Sequence, residues 1–280
     1  MKTRKIFGWF ILGAFLFASC GEDSNDNTSG DVKDANVAYL QQVDLVMTDG
    51  DYSEQMSATL DYNVDTKLEK VTYKDSDGDL MSGEINYGAE GRLSSIDMDG
   101  NTFQLGEFFG IEYDLFKEGV TIEYDENKNP SKIVLEEEDE EWNEETKEWE
   151  DVTYKMFATI EYDEKPFFLY HTLKASGIID MMESINLLMT AVPSDMITLN
   201  SLLPLNNITN ITIEDEKGYL IASADIDYVY NAKDYPESAK VTYTEGGDRY
   251  NVSPRFNVLK RMSSNYSMEF NLNFKYLEEK

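Results

Sequence analysis

From Val37 onward, apolar and polar residues alternate with a period of two. Met156, Ala158, Ile160 and Tyr162 form one such series, and Leu220, Ala222, Ala224, Ile226, Tyr228 and Tyr230 form another. A third runs Tyr266, Met268, Phe270, Leu272, Phe274 and Tyr276, interleaved with Ser267, Glu269, Asn271, Asn273 and Lys275. Successive side chains of a strand point to opposite faces, so each series predicts a strand with one buried and one wet face. Turn signals recur between the strands at Asp77-Gly78, Glu90-Gly91, Asp99-Gly100, Asn129-Pro130 and Gly246-Gly247. Many strands joined by short turns describe an all-β antiparallel meander.

Four segments share one plan: 60–73, 85–98, 122–135 and 228–243. In each, a Tyr follows an apolar residue by two positions. Asp, Asn or Gly and a polar turn come next, and Leu or Pro opens a second alternating strand. Each is expected to be a hairpin whose Tyr covers the turn. Segment 160–173 is expected to be a variant, with Pro166 and a more apolar return strand that carries His171.

The β rhythm breaks once. Ile178, Met181, Met182, Ile185, Leu188 and Met189 fall on one helical stripe. With Ser176 as N-cap and Pro193 beyond the end, they predict an amphipathic helix near 176–190 that plugs or caps the sheet. It is too short to cross a membrane.

Residues 1–19 carry no such pattern. Lys2, Arg4 and Lys5 form a positive start, Ile6 to Phe17 an apolar stretch, and Ala18-Ser19 precede Cys20. This order resembles a bacterial lipoprotein signal with its lipobox. The resemblance implies that 1–19 are removed and that Cys20 is diacylated as the mature N-terminus. Two acyl chains suffice for stable anchoring, so the membrane would be the protein's first partner. Residues 20–36 contain almost nothing to bury and read as a flexible acidic tether, leaving 37–280 as a single all-β domain. An acidic run after a lipidated cysteine also resembles the surface-export signal of Bacteroidetes lipoproteins. Outer-membrane anchoring with display at the cell surface, rather than at the periplasmic face, is the expectation.

Two further resemblances concern the domain. The Tyr-bearing units resemble the tyrosine–aspartate hairpin repeats of large bacterial surface proteins, with uneven spacing at Tyr62, Tyr87, Tyr124, Tyr162 and Tyr230. Together with the lipobox, the chain resembles an uncharacterised family of Bacteroidetes lipoproteins with a porin-like β-fold. That resemblance implies a curved or barrel-like meander and brings no established activity. A barrel embedded in the membrane is disfavoured by the separate lipid anchor, by the charged end Glu278-Glu279-Lys280, and by strands lacking a uniform lipid-facing side.

Charge narrows the partners. The chain carries 55 acids against 24 Lys and Arg, a net charge of −31. Cleavage after Ser19 would remove three cations and no acid, giving −34. Phosphate contacts need clustered Lys and Arg, which excludes nucleic acid. Cys20 is the only cysteine, so its acylation would leave no thiol for a disulfide or a metal.

Catalytic signals are sparse. His171 is the only histidine, and there is no Gly-x-Ser-x-Gly elbow. Asp75-Ser76-Asp77-Gly78-Asp79 has the look of a calcium loop, with Asp75, Asp77 and Asp79 as ligands. Leu80 and Asn86 stand where an EF-hand needs Gly and Glu, so a hairpin turn is the better reading. The acidic run 136–151 predicts a long hairpin with its tip at 143–148 and Trp142 opposite Trp149. This Trp pair is either self-explanatory packing or a platform for sugar rings. The expected function is non-catalytic binding at the cell surface, of a glycan, peptide or protein, with no cofactor. The alternatives are a carrier of an apolar ligand within the curved sheet and a carboxylate glycosidase.

Overall fold

The computed structural model describes residues 37–50, 52–88, 93–98, 101–104, 119–143, 146–182, 199–246 and 266–278. Its strands are β1 (Ala38–Asp49), β2 (Tyr52–Tyr62), β3 (Leu68–Lys74), β4 (Leu80–Tyr87), β5 (Leu93–Met98), β6 (Asn101–Gln104), β7 (Gly119–Tyr124), β8 (Pro130–Asn143), β9 (Glu148–Pro166), β10 (Asn206–Asp215), β11 (Leu220–Tyr230), β12 (Pro236–Glu245) and β13 (Tyr266–Glu278). They form one 13-stranded antiparallel sheet in the order β6-β5-β4-β3-β2-β1-β13-β12-β11-β10-β9-β8-β7. The first and last strands are central neighbours, in register from Ala38↔Glu278 to Thr48↔Glu269. The chain therefore leaves the centre for one edge, resumes at the other edge, and meanders back.

This order forces curvature. Thirteen strands laid flat would hold β6 and β7 about 58 Å apart, at about 4.8 Å per step. The link 105–118 reaches at most about 50 Å when fully extended. It must also climb the strand length, because an odd number of alternating strands makes β6 and β7 parallel. The sheet is accordingly curled.

Period two assigns the faces. Val43, Leu45 and Met47 stand opposite Ala58 and Met56 on one side and Phe274, Leu272 and Phe270 on the other. Val241 and Ile226 continue the row. Leu45, Phe270 and Leu272 are buried, whereas Asn271, Asn273 and Lys275 on the other face are exposed. Each fully buried Leu or Phe contributes about 1.5–3 kcal/mol.

The repeat proves to be an exact structural unit in four hairpins. Tyr62, Tyr87, Tyr124 and Tyr230 pair with Leu68, Leu93, Pro130 and Pro236, each six residues on, and a one-residue bulge follows. In three of these turns the Asx residue after the Tyr accepts two backbone N–H groups: Asn63 from Asp65 and Lys67, Asp125 from Asn127 and Asn129, Asn231 from Lys233 and Tyr235. The residue four past the Tyr then takes positive φ: Thr66 at 62°, Lys128 at 68° and Asp234 at 65°. This is a three-residue hairpin loop closed by a residue in the left-handed region.

Segment 160–173 departs from expectation, and the unit explains why. Pro166 occupies the position, four past Tyr162, that needs positive φ, and the proline ring holds φ negative. The turn begins, with Asp163 Oδ1 accepting the Lys165 N–H at 2.8 Å, but cannot close. The chain runs on through Phe167–Leu169 into helix α1 (Tyr170–Ala175) instead of returning as a strand. His171 is therefore helical.

The helical region starts earlier than expected, with α1. It breaks at Ser176-Gly177, where Gly177 has φ 72°, and continues as α2 (Ile178–Met182), which opens where the helix near 176–190 is expected to start. Ser176 caps the end of α1, and its Oγ accepts the Ile178 N–H at 3.4 Å, so it serves both helices. Residues 183–190 of the expected helix lie outside the described residues. The plug is built chiefly from the segment expected to be a return strand: Phe167, Phe168, Leu169 and Leu173, joined by Ile179 of α2, are buried in one core with Leu45, Phe270, Leu272 and Phe274. Thr172 ties it to β1 by accepting the Leu40 N–H at 2.8 Å. A short 3-10 turn, η1 (Leu199–Leu202), precedes β10.

Candidate functional site

Antiparallel alternation fixes the two ends of the sheet. β1 starts, β13 finishes and the four Tyr hairpins turn at the same end, which also carries the plug. Here the tyrosines form a rim. Tyr62 donates to Leu40 O, Tyr87 to Leu68 O and Tyr162 to Pro130 O, each at 2.7 Å, and Tyr124 donates to Ser201 O at 3.1 Å. Each rim hydroxyl thereby stitches its strand to a neighbouring segment. Burial pushes the Tyr87 hydroxyl up to about 12, with Glu69 adding to the shift, and raises those of Tyr62 and Tyr162 further.

The opposite end carries the acidic hairpin. Pairing of β7 with β8 stops at Gly119↔Glu136, and pairing of β10 with β9 stops at Asp215↔Met156. Among the described residues, β8 and β9 continue beyond those pairs as a two-stranded arm from Glu137↔Tyr154 to Asn143↔Glu148. Seven residue pairs carry it about 23 Å past its described neighbours. Trp142 and Trp149 are register partners next to the tip, as the sequence leads one to expect, and Trp149 is 64 % exposed. The tip closes with Lys147 N–H donating to Asn143 O at 2.8 Å. Thr146 N–H donates to Asn143 Oδ1 at 3.2 Å, and Asn143 Nδ2 reaches Glu150 Oε1 at 2.8 Å. Glu140 and Glu141 are the register partners of Asp151 and Glu150.

The other residues singled out by sequence fall as follows. Asp75 Oδ1 accepts the N–H groups of Asp77 and Asp79 at 3.0 and 2.9 Å, and Gly78 takes φ 88°, so Asp75, Asp77 and Asp79 build the β3–β4 turn. Among the described residues no group of three His, Cys, Asp or Glu is placed to hold a metal ion. His171 is buried in α1, edge-on to Tyr170 and Tyr39. No described helix is long and apolar enough to cross a membrane. Cys20 and the tether to residue 36 lie outside the described residues.

One site escaped the sequence reading. The β10–β11 ladder ends at Asn210↔Asp225, while β10 pairs on with β9 and β11 with β12. Residues 206–209 and 226–230 are thus unzipped from each other. A pocket of about 370 Å³ opens there, lined by Glu161, Asp163, Thr209, Asn210, Asp225, Ile226, Asp227, Tyr228 and Tyr230. Asp225 and Asp227 belong to the polar face, Tyr228 and Tyr230 to the apolar one, and one pocket can draw on both only where the ladder is open. Tyr230, which has no intact ladder on its β10 side, donates to Asp163 Oδ2, and Asn207 Nδ2 meets the Tyr230 oxygen at 3.1 Å. Burial raises the carboxyl of Asp163 above its ordinary range. No local motif announces an interrupted ladder. The Pro166 that prevents the turn after Asp163 was the available clue.

No family model matches this sequence, and no curated protein does. Among solved structures, a porin-like protein from Bacteroides uniformis shares 11 % identity at a TM-score of 0.34, over 84 % of this chain and 98 % of that one. A domain described as a candidate outer membrane lipoprotein-sorting protein, from Vibrio parahaemolyticus, shares 8 % at 0.27, over 86 % and 84 %. A LolA superfamily protein from Nitrosomonas europaea shares 6 % at 0.27, over 90 % and 95 %.

Proposed function

We propose that this protein is a non-catalytic binding protein, anchored in the outer membrane through acylated Cys20 and displayed outward. Its acidic, Trp-tipped β8–β9 arm would be the contact element. The observation that carries this reading is the arm's place in the fold. β1 begins at the tyrosine rim, so the tether 20–36 joins there, and β8 runs parallel to β1. The arm therefore ends at the far side of the sheet from the tether.

The arm is a poor structural element. Two-stranded ribbons are marginal in water, and cross-strand carboxylates repel. Exposed Trp is a frequent centre of binding energy, and carboxylates accept hydrogen bonds from hydroxyl or ammonium groups. A glycan, or a donor-rich peptide or protein surface, fits that chemistry. Two measurements test the proposal. Proteinase treatment of intact cells should cleave the protein, and complete protection would overturn outward display. A Trp142→Ala/Trp149→Ala variant should lose binding on a glycan and peptide array while melting as the parent does. Undiminished binding would remove the arm from the function.

A second reading, a carrier of an apolar ligand, rests on the inward face beyond the plug. Val71, Tyr73, Met81, Ile85 and Ile96 on one wing, and Ile133, Leu135 and Met156 on the other, are half-buried. Mass spectrometry of an organic extract of the purified protein should then show a stoichiometric apolar compound, and a clean extract would argue against the carrier.

A further inference from the structure

We infer that the pocket in the β10–β11 split is a binding site for an alkylammonium group, as presented by a polyamine or a lysine side chain, with Glu161, Asp225 and Asp227 at its rim and Asp163, Tyr228 and Tyr230 at its base. The site is separate from the Trp-tipped arm and does not depend on it.

Four observations converge. Glu161, Asp163, Asp225 and Asp227 line one pocket, and no Lys, Arg or His joins them. A neutral ligand would leave that charge uncompensated, whereas a cation relieves it. Among the described residues no three carboxylates gather closely enough for a metal ion, and a volume of about 370 Å³ is of the size that takes an organic group.

The base supplies direction. Tyr228 is partly buried, its ring packed between Phe168 at 6.3 Å and Tyr230 at 5.6 Å. Tyr228 lines the pocket and its hydroxyl makes no hydrogen bond among the described residues, so its oxygen has the capacity to accept an N–H. The adjacent Tyr228 and Tyr230 rings also offer π-faces to a cation. The fourth observation is Asp163. Released from turn-capping by Pro166, it keeps one oxygen on Lys165 N–H and turns the other toward Tyr230 at the pocket base. Burial penalises its charge, which an incoming ammonium would restore.

The test is calorimetric titration of the full chain, in neutral detergent, with 1,5-diaminopentane and with N-acetyl-lysine methylamide. Glu161 and Asp227 are exposed and make no hydrogen bond among the described residues, so Glu161→Gln/Asp227→Asn removes two charges without dismantling the fold. That variant should weaken both ligands about 10-fold, as expected for charge-assisted contacts. Tyr228→Phe should weaken them about 3-fold. Asp61→Asn/Glu69→Gln removes two exposed charges from β2 and β3, and screening should hold its effect within about 2-fold. Weakening of diaminopentane alone marks a polyamine site, and weakening of both ligands marks a site open to lysine side chains. The inference is overturned if neither ligand binds, if the two double variants weaken binding equally, or if glucose or calcium competes as well as the amines.

Discussion

Asn129 Oδ1 accepts the backbone N–H of Leu205 at 2.7 Å, joining the β7–β8 turn to a segment 76 residues later. The same oxygen takes the Asn206 N–H at 3.1 Å, and Nδ2 reaches Asp125 Oδ2 and Asn206 Oδ1 at 3.0 Å each. Asn129 is 0 % exposed. One amide thus fixes the turn to the strand that flanks the plug.

Replacing it tests that junction. Asn129→Ala strands two backbone donors in a buried place, so stability should fall by about 2–4 kcal/mol. Urea unfolding should show a lower midpoint at an unchanged slope. A midpoint within error of the parent would mean that water replaces the amide and the junction is dispensable.

Thr66 carries the opposite expectation. Its φ of 62° is costly for a β-branched residue. Gly78 and Gly218 fill the corresponding place in other turns, at φ 88° and 75°. Thr66→Gly should therefore stabilise by about 1 kcal/mol, read as a raised thermal midpoint. A loss would show that the Thr66 hydroxyl bond to Asp65 O, at 2.7 Å, outweighs the backbone strain.

The β3–β4 turn separates a calcium loop from a plain hairpin. Asn63 and Asn231 hold their turns with the same pair of bonds that Asp75 makes. Asp75→Asn should then change stability by less than about 0.5 kcal/mol. Millimolar calcium should leave the melting of the parent unmoved. A calcium-dependent rise that disappears in Asp75→Asn would establish a metal site instead.

Alkali should unfold the protein through its tyrosines. Burial lifts Tyr87, Tyr235 and Tyr243 from 10.0 to about 12, while Tyr62, Tyr162, Tyr230 and Tyr276 move higher still. Each folded value lies above the unfolded one, so their contribution is intact below pH 10 and lost as pH rises through the folded values. Stability should be level up to about pH 10 and fall between about 10 and 12. Phenolate absorbance should rise in two stages, exposed tyrosines first and rim tyrosines together with unfolding. A single stage near pH 10 would refute the rim's burial.

Much of this was legible locally. The alternation of Tyr266 to Tyr276 marks β13 and its buried face, because strand geometry fixes face by parity. The Tyr–Asx–Leu/Pro spacing marks each hairpin, since a turn is closed by residues within a few positions of one another. The register of Trp142 and Trp149 follows from the same locality. Reading 160–173 as a hairpin failed for an equally local reason: Pro166 lies where the turn needs positive φ. Helix α1 escapes the pattern because Phe167 to Leu173 is a short, mostly apolar run, whose periodicity does not separate a strand from a helix.

Outside 167–173, the sequence by itself determined which segments are strands, which face of each is apolar, and where the chain turns, because all three depend on neighbours a few residues apart. Tertiary structure decided the rest. Pairing of β1 with β13, the curl imposed by the 105–118 link, the seat of the plug, and the gap between β10 and β11 all join residues far apart in the chain. Period two is identical for every strand, so it tells which way a side chain faces and nothing about which strand lies beside it.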